Sequence, residues 1–300
     1  MIASRWKTLD GSSPLIIAHR GASGYRPEHS AEAFALAFAM RADAVEPDVL
    51  PSRDGVLIVR HDIDLAPTTD IARRPEFAER ARIVGGQRQW WIGDLDVAEI
   101  DTLHCVAPVR GRARAGATTS SVLRLATLLE MARAAQVVVD IELKDTDYFR
   151  ALGFDPAALL ESELRTAGVL GASAPVWLEC FDHAVLRELR ARCGNRCFAL
   201  IASLPSPGAL RELSGWASGI APPKHLLWDA GGNPTGLVAD AHAVGLEVHA
   251  WTFRDDGDCA PFATPREELE AAVALGVDAL FCDFPDTALA ARTEWISAKR

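Results

Sequence analysis

Short apolar runs, many of them β-branched, alternate along most of this chain with segments whose apolar positions recur three and four residues apart. Residues 15–21 (LIIAHRG) read as a strand, and 30–41 (SAEAFALAFAMR) as a helix with Ser30 as its N-cap. The second strand is 44–50. A tight turn at Ser52-Arg53-Asp54-Gly55 then returns the chain as 56–60, so a hairpin decorates the α/β order. A helix around 121–135 leads into a third strand at 137–144, helix 156–168 into a fourth at 176–181, and helix 184–192 into a fifth at 197–202. The same rhythm places the sixth at 225–228, the seventh at 247–253 and the eighth at 279–284. The helices at 237–244 and 267–275 each close with a glycine, Gly245 and Gly276, as a C-terminal cap does.

Eight such repeats predict an α/β fold, a closed (β/α)8 TIM barrel spanning 1–300 as one domain. An open doubly wound sheet is the runner-up, but it would usually carry a glycine-rich phosphate loop after its first strand. Gly21-Ala22-Ser23-Gly24 does not fit that pattern. One stretch, about 65–117, breaks the rhythm with Arg, Asp, Gly and Trp, and offers only short helices at 75–82 and 97–102. An insertion of this size beside a strand end is a natural lid or substrate cap, with Trp90 and Trp91 packed against the barrel rim.

Composition narrows the function. With 300 residues and 49% hydrophobic content the chain has ample material for a core, and its net charge of −10 argues against a nucleic-acid partner. A small anionic ligand remains compatible, because a cation and a few local basic groups can reverse the potential inside one cleft. The six cysteines are scattered and read as buried free thiols rather than a zinc or disulfide framework. No apolar run approaches a signal peptide or a membrane span, so the expectation is a cytoplasmic protein without stable membrane insertion.

The polar residues at strand ends carry the chemistry. His19 and His61 each follow an apolar run, and Glu46 and Asp48 flank Pro47 at the end of another. Alternation along a strand puts Glu46 and Asp48 on one face, about 7 Å apart, near enough to share a cation. Glu142 and Lys144 repeat the pattern on the third strand. In a barrel all of these converge on one mouth. Three carboxylates without a cysteine favour a hard cation, Ca2+ or Mg2+, over zinc. Arg20 and Lys144 then face an anion, and a phosphate is the simplest one to balance the charge. His19 and His61 are placed to act as general acid and base across it, which points to phosphodiester cleavage.

The run His19-Arg20-Gly21-Ala22-Ser23-Gly24, with Pro27-Glu28-His29-Ser30, Glu46-x-Asp48 and His61-Asp62, resembles the signature of the glycerophosphodiester phosphodiesterase family. The nearest pattern is its bacterial HRGASGY-x-PEHT branch. Glu142-x-Lys144, the ECFD segment at 179–182, Trp251-Thr252 and Asp283-Phe284-Pro285-Asp286 extend the likeness over about 15–286. The resemblance implies a TIM barrel and one divalent cation, Ca2+ or Mg2+, on Glu46, Asp48 and Glu142. It makes His19 and His61 the acid/base pair, Arg20 and Lys144 the phosphate-binding residues, and Trp251 a wall against glycerol. It implies hydrolysis of small diesters such as glycerophosphocholine or glycerophosphoethanolamine to sn-glycerol 3-phosphate and an alcohol. A lysophospholipase D-type activity is the alternative, and would need an apolar access route. Three departures stand out: His29-Ser30 in place of Asn-Thr, Arg60 in place of an apolar residue, and Glu179 in place of Gln or Ser. Arg60 would either add a cation near the mouth or point to solvent, and the solvent-facing reading is favoured. Glu179 would add negative charge near the phosphate or serve as a fourth cation ligand. Head-group choice is expected to lie in the insertion and in loops such as 254–265.

Overall fold

The computed structural model describes residues 6–107 and 120–298. Its strands in chain order are β1 (Leu15–His19), β2 (Ala44–Glu46), β3 (Asp48–Pro51), β4 (Leu57–Val59), β5 (Arg82–Val84) and β6 (Gln87–Gln89). They continue as β7 (Val138–Leu143), β8 (Val176–Cys180), β9 (Arg196–Leu200), β10 (Gly219–Ala221), β11 (Glu247–Phe253) and β12 (Ala279–Cys282). Parallel pairing runs β2-β1-β12-β11-β10-β9-β8-β7, and β7 pairs back to β2, so the sheet closes into an eight-stranded barrel surrounded by helices. The open-sheet alternative is thereby excluded.

The second barrel strand is split at Pro47, which has no N–H for the ladder. β2 pairs β7 through Ala44 and Val45, and β3 resumes that pairing with Asp48 opposite Glu142. β3 then rises past the mouth, turns, and returns as β4 in antiparallel register, Val49 opposite Val59. This excursion delivers His61 back to the level of Asp48, where the Arg60 amide donates to the Asp48 carbonyl.

Helix 31–40 is capped as expected, with the Ser30 hydroxyl accepting from the Ala33 amide. Gly276 ends its helix at φ 104°, a backbone region that favours glycine. Inside the barrel, Ile17, Ala44, Trp177, Phe198, Ala279 and Phe281 form one buried cluster, and His249 stacks on Phe198 at 3.8 Å. These side chains plug the barrel below its mouth. Gly219 makes that plug possible, since a Cβ there would sit 2.5 Å from the Glu247 carbonyl and 2.8 Å from the Phe198 ring. Gly219→Ala is expected to destabilise the fold by about 1–3 kcal/mol through overpacking. A thermal melt checks this, and an unchanged Tm would contradict it.

Three expectations need correction. The sixth strand is Gly219–Ala221, and Lys224–Leu226 is a 3-10 turn. Pro222-Pro223 ends the strand early, and Gly-Ile-Ala carries too little β-branched signal to stand out in the sequence. The helix Pro207–Ser214 before it, N-capped by Ser206, also went unread. Arg60 is not solvent-facing. It is 1% exposed and donates to Cys105 Sγ at 2.6 Å and to the Glu28 carbonyl at 3.3 Å, because the insertion folds over it.

The described part of the insertion has its own core, including Leu65, Ile71, Phe77, Trp90, Ile92 and Leu103. Trp90 lies inside it and donates to the Phe77 carbonyl, whereas Trp91 packs edge-on against Tyr148 near the barrel rim. Residues 108–117 of the expected insertion lie outside the described residues. The cysteines are all free, and all but Cys259 are buried. No helix among the described residues is long and apolar enough to cross a membrane.

Candidate active site

The C-terminal mouth of the barrel opens into a cleft of about 620 Å3 lined by His19, Arg20, Glu46, His61, Glu142, Lys144, Glu179 and Trp251, among others. Cross-strand register explains the grouping. His19 lies opposite Glu46, while Asp48, Glu142 and Glu179 form a row across β3, β7 and β8.

Glu46, Asp48 and Glu142 each present an oxygen within 4.8 Å of the other two. Such crowding of buried acids is costly unless a cation offsets it. Burial together with the Asp48 charge raises Glu46 well above the usual carboxylate range and pushes Glu142 up to about 8. Burial would raise Asp48 too, but the charges of Arg20 and Lys144 outweigh it and hold that carboxyl well below its ordinary value. Glu46 Oε1 and both Asp48 oxygens have no hydrogen-bond partner, although all are buried. Buried carboxyl oxygens this close together, with Glu46 Oε1 unpartnered and the Asp48 pair met only by contacts of 3.2–3.7 Å, fit a divalent cation, and an oxygen-only donor set suits Ca2+ or Mg2+ chemistry.

Two cations border this nest. The Arg20 guanidinium lies 2.9 Å from Glu28 and 3.2 Å from Asp48, and Lys144 Nζ lies 2.8 Å from Glu142 and 3.7 Å from Asp48. Both side chains line the cleft as well, so each can offer remaining N–H groups to an anion.

The two histidines sit in unlike surroundings. His19 is mostly enclosed, with its side chain 12% exposed, and its Nδ1 lies 2.7 Å from Asp283 Oδ1, while Asp283 Oδ2 accepts from Arg254 at 2.8 Å. Donation to that carboxylate leaves the His19 Nε2 lone pair free. Burial and then the Arg20 charge push the His19 pKa below its ordinary value, which favours the neutral ring. His61 is about one-third exposed, with Nδ1 2.7 Å from Asp62 Oδ1, and that hydrogen bond lowers the Asp62 carboxyl.

Of the strand-end residues expected at the mouth, Asp48 lies just beneath the surface of the cleft as part of the nest, and Asp62 and Asp283 stand against the two histidines rather than lining the cleft. Trp251 forms a side wall, held by donation from Nε1 to the Ala221 carbonyl and packed edge-on against Phe181. Glu179 lines the floor, but its oxygens fall outside the three-acid convergence. Among the described residues, none from 65–107 lines the cleft, so that part of the insertion does not cap it. Trp90 and Trp91 therefore provide no apolar access route. The loop after β11 does contribute, through Arg254, Asp258, Ala260 and Pro261.

Two supporting residues had a signal in the sequence that was not used. Asp283 stands in the Asp-Phe-Pro-Asp motif but received no role. His29, treated as a departure from Asn, is fully buried and accepts from the Asp48 amide at 3.2 Å. Burial holds its pKa down at about 4, so the ring is neutral and able to accept.

The profile of the glycerophosphoryl diester phosphodiesterase family matches residues 19–287. Glycerophosphodiester phosphodiesterase GDPD6 of Arabidopsis thaliana is 28% identical over 318 residues, covering 93% of this chain and 86% of the relative. A glycerophosphodiester phosphodiesterase of Haemophilus influenzae is 28% identical over 328 residues, covering 92% and 89%. Among solved structures, the glycerophosphodiester phosphodiesterase of Agrobacterium tumefaciens superposes with a TM-score of 0.67 at 25% identity, covering 92% of this chain and 99% of the other. A phosphodiesterase of Oleispira antarctica, solved with the product sn-glycerol-3-phosphate, shares the fold with a TM-score of 0.71 at 22% identity, covering 95% and 98%. Sequence profile, full-length relatives and barrel topology agree: the chain belongs to the glycerophosphoryl diester phosphodiesterase family.

Proposed function

We propose that this protein hydrolyses small glycerophosphodiesters, such as glycerophosphocholine and glycerophosphoethanolamine, to sn-glycerol 3-phosphate and an alcohol. The observation that carries this reading is the meeting, in one cleft, of two histidines, two basic side chains and a nest of three carboxylates. Phosphodiesterase activity itself follows from the family. The finer assignments rest on the site.

Glu46, Asp48 and Glu142 would hold one divalent cation, Ca2+ or Mg2+. When bound, the cation supplies charge neutralisation to a phosphate oxygen. Arg20 and Lys144 hold the phosphate in place and stabilise the charge that builds on it. Neutral His19, oriented by Asp283, takes the proton from the attacking hydroxyl through Nε2. His61, more exposed and facing the same cleft, donates a proton to the leaving alcohol oxygen. Trp251 and Phe181 wall the substrate from the side.

The far end of the cleft favours a cationic head group. Asp229 and Asp258 line it, and neither has an ion-pair partner among the described residues. Of the basic groups beside them, Lys224 is shared between Glu268 and the Asp258 backbone carbonyl, each at 2.7 Å, and Arg254 pairs with Asp283 at 2.8 Å. Trp228 adds an aromatic face suited to an ammonium group. We therefore expect glycerophosphocholine and glycerophosphoethanolamine to be hydrolysed with higher kcat/KM than glycerophosphoglycerol. Asp229→Asn with Asp258→Asn should reduce that preference by about two- to fivefold per charge, the usual reach of solvent-facing carboxylates. Steady-state release of glycerol 3-phosphate across the panel checks this. Equal rates for cationic and neutral head groups would contradict the head-group assignment, and no turnover of any diester would contradict the function.

A further inference from the structure

The floor of the cleft holds one acidic side chain that neither the histidine pair nor the three-acid nest employs. Glu179 points inward from β8, at the end of the cross-strand row that begins with Asp48 and Glu142. It is 2% exposed and lines the cleft, and its Oε2 has no hydrogen-bond partner. An unpartnered buried carboxyl oxygen is unfavourable unless a ligand completes it.

The surroundings limit what that ligand can be. Glu179 does not join the convergence that Glu46, Asp48 and Glu142 make within 4.8 Å, so a cation held there is already served by other oxygens. Beside its charged residues the same cleft carries apolar walls, Phe181, Leu200, Trp251 and Phe281. An open carboxyl oxygen in a cleft that also offers apolar walls suits a short polyol, whose carbons pack on the walls while a hydroxyl meets the carboxyl. Of the two halves of a diester, glycerol is the small and constant one. The alcohol half varies in size and needs the open end near Asp229 and Asp258.

We propose that Glu179 is a specificity residue of this cleft, accepting a hydrogen bond from a glycerol hydroxyl of the bound diester, an inference that rests on reading the cleft as a glycerophosphodiester site. The residue thus selects the glycerol half from the barrel floor, and its replacement of Gln or Ser keeps an acceptor in place. Glu179→Gln preserves an acceptor at the same position. Glu179→Leu keeps the volume and removes it.

Calorimetric titration of the Mg2+-loaded protein with sn-glycerol 3-phosphate and, separately, with inorganic phosphate isolates the glycerol contribution. The expected result is that E179L weakens glycerol 3-phosphate by about tenfold or more, while its affinities for phosphate and for Mg2+ stay within about twofold of the parent. E179Q should retain most of the discrimination. Equal weakening of both anions would overturn the proposal in favour of a general electrostatic role. Loss of Mg2+ affinity would overturn it in favour of a cation ligand, and unchanged discrimination in E179L would overturn it outright. Retained phosphate binding also verifies that the variant is folded. Turnover of glycerophosphocholine by the unaltered protein tests the parent reading separately. Discrimination lost in E179L without any turnover by the parent protein would contradict the parent reading and support the role of Glu179.

Discussion

Replacing His19 with alanine is expected to lower kcat on glycerophosphocholine by about 10²–10⁴-fold with the melting temperature close to that of the parent protein. His19 has the environment of a base. Its Nδ1 is engaged by Asp283, its Nε2 is left free, and burial with the Arg20 charge keeps it unprotonated below its ordinary pKa. The fold should tolerate the change because Asp283 stays paired with Arg254 at 2.8 Å. The pH profile gives an independent check. A base must be neutral to act, so the acid limb of kcat/KM should fall below pH 6.5, the ordinary histidine value. The Asp283 carboxylate raises the His19 pKa, so Asp283→Asn should move that limb further to acid and reduce the rate by less than the loss of His19 itself. A full rate in His19→Ala would remove the ring from the chemistry.

The second large effect concerns the carboxylate nest. Glu46 and Glu142 have raised pKa values in the folded state, Glu142 at about 8 against an ordinary 4.5. Between those limits the folded chain keeps protons that the unfolded chain has lost, so stability falls as pH rises through about 4.5 to 8. A divalent cation bound only by the folded nest removes this penalty. The chelated protein is therefore expected to melt lower at pH 8 than at pH 5. Mg2+ or Ca2+ at a hundred times Kd should raise Tm by roughly 5 °C or more at pH 8, and by less at pH 5. Asp48→Asn should abolish the cation-dependent shift, because Asp48 is the member of the nest whose ionised form Arg20 and Lys144 favour. Calorimetric melts at both pH values, with and without the cation, decide the matter. A cation shift of the same size in Asp48→Asn would exclude the nest as the binding site.

Much of this was legible in the sequence because the relevant signals are local. A strand such as Glu247–Phe253, an apolar-rich run that follows a glycine-closed helix, announces its own length. Acids two apart at a strand end, as at Glu46 and Asp48, announce a shared face even though Pro47 splits the strand. The failures are equally instructive. Gly219–Ala221 is held by its neighbours β9 and β11 and by the need for a small residue beside Phe198, not by any propensity of its own. Sequence alone leaves Arg60 between a cation at the mouth and a solvent-facing side chain, with solvent favoured because arginine is seldom fully buried. Only the folded insertion reveals that Cys105 and the Glu28 carbonyl cover it. Asp283 and Arg254 are 264 and 235 positions from His19 in the chain, or 283 − 19 and 254 − 19, so their support of that ring is a product of barrel closure. Distance in sequence hides such partners, and parallel pairing of the first and last strands restores them.

The most direct measurement follows the phosphorus nucleus itself. ³¹P NMR of glycerophosphocholine incubated with the protein should show the diester signal replaced by that of sn-glycerol 3-phosphate when Mg2+ or Ca2+ is present. EDTA should halt the conversion, and restored cation should resume it. Persistence of the diester signal with either cation, or conversion at full rate in excess EDTA, would contradict a cation-assisted glycerophosphodiester hydrolase.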